Sequence, residues 1–191
     1  MDSVVALVIL LALGLCSGGE QSGFSESRSC PVVLAERTSA RADTFPHTWV
    51  GDWRGDIVVY RGRDTLQTAR MRLGIHPADS GRYTWHIGYG EASADERPYT
   101  LMPVDATRGH WQIDEHNGIV LDAHYHAGSL YSRFAVMGNL LLSRDELAGD
   151  TLFHEVVFGS QRDTTVTGDS IRVGSYPIGT VQRARLIRTS P

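Results

Sequence analysis

The sequence has no lysine. All 18 of its basic residues are arginine. Schiff-base and other lysine-amine chemistry is therefore excluded. Nor are basic residues in excess: 22 acidic residues give a net charge of −4, which argues against a nucleic-acid binder. There are two cysteines, Cys16 and Cys30, too few for a disulfide framework or a paired-cysteine zinc site. The longest apolar run falls well short of the roughly 20 residues that span a bilayer as a helix. The sequence has no phosphate loop, no dinucleotide-binding glycine pattern and no Gly-x-Ser-x-Gly nucleophile elbow. Gly168-Asp169-Ser170 repeats a hydrolase tripeptide, but in a late polar loop rather than early in an α/β fold. What remains is ordinary globular composition, 41% hydrophobic and 21% charged over 191 residues. That length suits one domain with a leader, and it can bury a core without a metal or disulfide.

Residues 4–15 are mostly apolar, the length of a secretory signal's apolar region, although no side-chain cation precedes them. Leu13-Gly14-Leu15-Cys16 resembles a lipobox, with a departure at Leu15, where a small residue is expected. Two readings of residues 1–18 stay open: a lipoprotein leader with lipidation at Cys16, or an ordinary cleaved signal peptide. Both imply an exported protein, either lipid-anchored in the cell envelope or secreted or periplasmic. Membrane contact is expected only through an acyl chain on Cys16, itself a marginal anchor. Residues 19–46, rich in Ser, Gly, Glu, Arg and Ala, read as a flexible linker. With Cys16 lipidated or removed, Cys30 is left without a partner, and no intrachain disulfide is expected.

The pattern changes at His47. Alternating apolar and polar runs, separated by turn residues, continue to Arg188. Strands are expected at 49–61, 65–76, 82–89, 99–104, 110–114, 119–126, 130–136, 140–147, 151–160 and 175–188. Tyr83, Trp85, Ile87 and Tyr89 show the period of two most cleanly. Asn117-Gly118 reads as a type I′ hairpin pair, with Asp114 bonding nearby backbone N–H groups. About ten short strands with short connections predict an all-β fold. Closure would remove the exposed edges, so the expectation for residues 47–188 is a single antiparallel up-and-down barrel.

Gly51-Asp52-Trp53 resembles the Gly-x-Trp mark of the calycins, the lipocalins and fatty-acid-binding proteins among them. The resemblance implies a barrel closed at one end by Trp53, with an arginine of the last strand packed across it. Arg183, Arg185 and Arg188 are candidates, and Arg185 is the expected partner. Arg97-Pro98-Tyr99-x-Leu101, Gly109-His110-Trp111-x-Ile113-Asp114-Glu115 and Ser132-Arg133-Phe134 are also similar to segments of an uncharacterised group of exported bacterial β-proteins. That resemblance implies no activity.

The candidate site residues are few. His124 and His126 share a strand face and are the candidate metal ligands, with Asp122, His154 or Glu155 needed to complete a set. Heme held by one histidine is a variant of that idea. No resident cofactor is expected otherwise. Arg133, sharing a face with Tyr131, and Glu155, sharing one with Phe153, are charges within largely apolar strands. If those faces turn inward, Arg133, Glu155, Tyr131 and Asp122 form a lumenal ligand site. Tyr83, Trp85, Tyr89, Trp111, Phe134 and Phe153 would line or plug the barrel. The leading functional expectation is a binding module for a small apolar or amphipathic ligand. A structural or interaction protein of the envelope with a filled barrel comes next. An enzyme using the histidines and carboxylates comes last.

Overall fold

The computed structural model describes residues 44–90 and 95–190. The leader, Cys16, Cys30 and the linker up to residue 43 lie outside the described residues. Ten antiparallel strands close into a barrel: β1 (Gly51–Arg61), β2 (Asp64–Ile75), β3 (Tyr83–Tyr89), β4 (Asp95–Asp105), β5 (His110–Asp114), β6 (Val120–His126), β7 (Ser129–Val136), β8 (Asn139–Ala148), β9 (Thr151–Ser160) and, last, β12 (Thr180–Ser190). Each strand pairs with the next, and β12 closes the ring on β1. Between β9 and β12 the chain makes a small separate hairpin, β10 (Thr165–Thr167) with β11 (Val173–Ser175). The up-and-down barrel expected from the alternation is the fold observed, and no α-helix occurs among the described residues.

Period-two alternation separates the two faces. Trp53, Ile57 and Val59 of β1 and Met71, Leu73 and Ile75 of β2 turn inward, as do Tyr83, Trp85, Ile87 and Tyr89 of β3. Cross-strand pairing carries this face around the ring. Leu130, Asp145, His154, Ala184 and Ile57 are successive partners on five neighbouring strands, and all are buried.

Tight turns fix the register. Ala127-Gly128 and Met137-Gly138 join β6 to β7 and β7 to β8, and all four residues have positive φ, as a type I′ turn requires. Asn117-Gly118 also lies in a turn, but not as a two-residue pair. The β5–β6 ladder stops at Asp114–Val120, so residues 115–119 form a longer loop closed by Glu115 N–H donating to Ile119 O. Positive φ falls on His116 and Gly118. Asn117 Oδ1 accepts from Ile119 N–H, and Asp114 Oδ1 accepts from His116 N–H.

One seam is incomplete. The β6–β7 ladder contains only His124–Tyr131, Tyr125–Leu130 and His126–Ser129. Beyond it, Ser132 Oγ–H donates to Asp122 O at 2.6 Å, a side chain standing in for a ladder bond. This parting of β6 and β7 lies toward the end of the barrel where the β5–β6 and β7–β8 turns meet.

Candidate functional site

The two ends of the barrel are built differently. At one end, where β1 begins and β12 finishes, the 3₁₀ turn His47–Trp49 crosses the opening. Trp49 and Trp53 are fully buried, and Trp53 Nε1–H donates to Trp49 O at 2.9 Å. Phe45 stacks on Tyr125 with ring centroids 4.3 Å apart and meets Trp49 and Trp111 edge-on. Phe45, just ahead of the 3₁₀ turn, is thus part of this plug.

Arg188 lies across Trp53, its guanidinium carbon 4.1 Å from the ring centroid. Its Nη1 donates to Val50 O and its Nη2 to Thr48 O at 2.9 Å. Arg185 does not fill this role. It pairs with Asp56 and Phe153 on the exposed outer wall, three positions and the opposite parity from Arg188.

The other end is polar inside. The Arg97 guanidinium is 4% exposed and lies 4.8 Å from the Tyr89 ring centroid. Asp95 receives it through two bonds, from Nε at 3.1 Å and Nη2 at 3.0 Å. Burial acts against the Arg97 charge, yet the bonds to Asp95 leave its pKa above the ordinary value. Burial pushes the Tyr99 phenol up to about 12 and Tyr89 higher still, so both stay protonated. Glu115 is buried next to them. Burial raises its carboxyl above the ordinary value, while the Asn117 side-chain bond and the Arg97 charge work the other way.

Deeper in the wall, Asp145 and His154 form a buried pair, Oδ1 to Nδ1 at 2.7 Å. Beyond burial, the Asp145 charge is a small further contribution to the rise at Tyr89. His154 Nε2 and Tyr89 Oη are buried and have no hydrogen-bond partner among the described residues. Around them the inward face is apolar: Val59, Met71, Ile87, Ile113, Leu141 and Val156.

The barrel is calycin-like. It is similar to a protein of unknown function from the DUF3598 family of Nostoc punctiforme PCC 73102, with a TM-score of 0.54 and 15% identity over 75% of this chain. The match covers 48% of that protein, so this chain spans about half its length. It is also similar to an S-type phycobiliprotein lyase from Guillardia theta, with a TM-score of 0.52 and 11% identity, covering 76% of this chain and 90% of that one. At these identities the likeness establishes the fold alone. No family model matches the sequence, and no curated protein does.

Asp122, Tyr131, Arg133 and Glu155, expected in a lumenal site, lie on the outer wall of this calycin-like barrel. Inward positions on β7 are even-numbered (Leu130, Ser132, Phe134), so Tyr131 and Arg133 point out. Glu155 binds Arg183 Nε at 2.6 Å on the outside, and Phe153 is exposed there too. The reason is register. In an even alternation, Arg133 and Glu155 share a face with apolar residues that are themselves exposed, among them Leu142 and Phe153.

His124 and His126 also face outward. His124 neighbours His110, whose Nε2 lies 2.8 Å from Asp122 Oδ1. The bonds from His110 and Gln112 hold the exposed Asp122 carboxyl below its ordinary value. Among the described residues no group of three or more His, Cys, Asp or Glu is placed to hold a metal ion.

The buried polar residues Arg97, Glu115, Asp145 and His154 went unrecognised as site residues, apart from His154 as a spare metal ligand. Only a partial signal was available: His154 shares its face with Leu152, Val156 and Phe158, whereas Asp145 shares one with Ser143 as well as Leu141 and Leu147.

Proposed function

We propose that this protein is a binding module that holds a small apolar or amphipathic molecule in the polar-ended half of its barrel. The observation that carries this reading is the state of the inward face near that end. Ala69, Leu121, Phe134, Val136 and Phe158 turn inward yet are only half-buried, whereas toward the plugged end Trp53, Leu73, Ile75, Trp111, Ala123 and Leu130 are covered and only Tyr125 and Leu147 are half-buried. Apolar side chains left part-wet inside a barrel are the surface an apolar ligand covers. The likeness to a phycobiliprotein lyase is consistent with small-ligand binding in such a barrel. The reading includes export through the apolar leader, with Cys16 as a lipid anchor in the lipoprotein case.

Native mass spectrometry with organic extraction, applied to protein purified from its own host, tests it. A retained small molecule with an apolar portion is expected, released on denaturation. The same spectrum would disclose a metal or heme. Protein that carries nothing, and takes up no apolar probe when offered one, would favour a filled structural barrel instead.

A further inference from the structure

We infer that the slot between β6 and β7 is the passage by which a ligand enters and leaves the barrel, and that the bond from Ser132 to Asp122 is its latch. The inference rests on the binding-module reading and assigns that site its route of exchange.

Among the described residues, this is the one seam where two strands run on side by side after their ladder has ended. The β1–β2 and β8–β9 ladders, by contrast, continue to the strand ends. In the register already set, Ala123 would pair with Ser132, Asp122 with Arg133, Leu121 with Phe134 and Val120 with Ala135. None of these pairs forms, although every one of those residues lies within β6 or β7. Side chains confirm the parting. Opposite charges at directly opposed positions of a sheet normally meet. Asp122 is instead bonded to His110 and Gln112 of β5, at 2.8 and 3.1 Å, and no ion pair joins it to Arg133.

What ties the strands here is Ser132 Oγ–H on Asp122 O. A single side-chain hydrogen bond is a weaker tie than the ladder it replaces. It can break without unfolding either strand, because β6 stays paired to β5 and β7 to β8. The slot can therefore widen while the rest of the barrel stays closed.

The lining suits an apolar molecule. Leu121 and Phe134 turn inward on the two sides of the slot, and both are half-buried. Val120 and Ala135 form its exposed outer lip. The polar end of the lumen offers a different surface, with Arg97, Asp95 and Glu115. An apolar molecule crossing there must strip water from charged groups, whereas between Leu121 and Phe134 it meets apolar side chains.

Stopped-flow binding of N-phenyl-1-naphthylamine tests this. Ser132→Ala is expected to raise the association and dissociation rates together, by roughly threefold to tenfold, the effect of one hydrogen bond, with Kd unchanged within about twofold. Val120→Cys with Ala135→Cys, in a full chain that also carries Cys16→Ser and Cys30→Ser, is expected to do the reverse. Oxidation of that pair should slow both rates by about tenfold or more, and dithiothreitol should restore them. Near-ultraviolet circular dichroism and melting establish that each variant is folded. Wild-type rates in Ser132→Ala, or a change confined to dissociation, would overturn the passage and leave the binding module standing. Unchanged rates in the oxidised pair would do the same. Should the pair resist oxidation, Ser132→Ala decides by itself. If the probe does not bind at all, both readings fail.

Discussion

The plugged end and the polar end are built from the same alternation but bury different polar groups. At the plugged end, Trp53 Nε1 is bonded to Trp49 O and Arg188 to two backbone carbonyls. The ring faces that remain are packed on one another. At the polar end, charged pairs are buried with atoms left over. Trp49 Nε1 and Tyr125 Oη are also buried without a hydrogen-bond partner among the described residues, so orphaned atoms occur at both ends. What differs is charge: the plug buries aromatic rings under Arg188, whereas the other half of the barrel buries Arg97 with Asp95 and Asp145 with His154.

Trp53→Ala is the sharpest way to break the plugged end. It empties a fully buried indole site and strands Arg188, with an expected loss of about 3–5 kcal/mol in urea unfolding. Probe affinity in the folded fraction should persist, because Trp53 is remote from the polar end. A large loss of affinity at unchanged foldedness would erase the distinction between the ends.

His154→Ala should cost about 3 kcal/mol, because it leaves the Asp145 carboxylate buried without its partner. The double change His154→Ala with Asp145→Ala should recover part of that loss, a coupling that a double-mutant cycle reads directly.

Glu115→Gln gives a smaller, pH-shaped effect. The folded Glu115 pKa lies above its ordinary 4.5. Its stabilising share is therefore complete below that value and is lost as pH rises through the folded pKa. Relative to the wild type, the variant should gain stability between pH 4.5 and pH 7, measured by urea melts at the two values. An unchanged difference would mean that Glu115 is solvated in the folded protein.

The outer wall should be nearly silent. Arg183→Ala, which breaks the exposed pair with Glu155, should change stability by less than about 1 kcal/mol. Arg133→Ala and Asp122→Ala should leave lumenal probe binding unaltered. A tenfold change in either would move the site to the outside of the barrel.

The fold was largely readable from the sequence because strand alternation and turn chemistry are local. The ten expected strands match the ten barrel strands, β5 and β9 residue for residue. The site was not readable in the same way. Which face of β7 or β9 turns inward is set by pairing with distant strands, so Arg133 and Glu155 attracted notice while Asp145 and His154 carried the burial. The Trp53 partner failed for a related reason. Arg183, Arg185 and Arg188 are equivalent in composition, and only the register beside Trp53 selects Arg188. The Asn117-Gly118 pair misled because the ladder beneath it ends early.

The β1–β12 seam has a bearing on biosynthesis. Residues such as Trp53 and Arg188 meet only after every other barrel strand has been made. While the ribosome is still working, β1 has a bare edge of 11 residues and an uncapped indole. The nascent chain therefore carries an adhesive strand for nearly the whole of translation, and its protection until release falls to whatever factor meets it first.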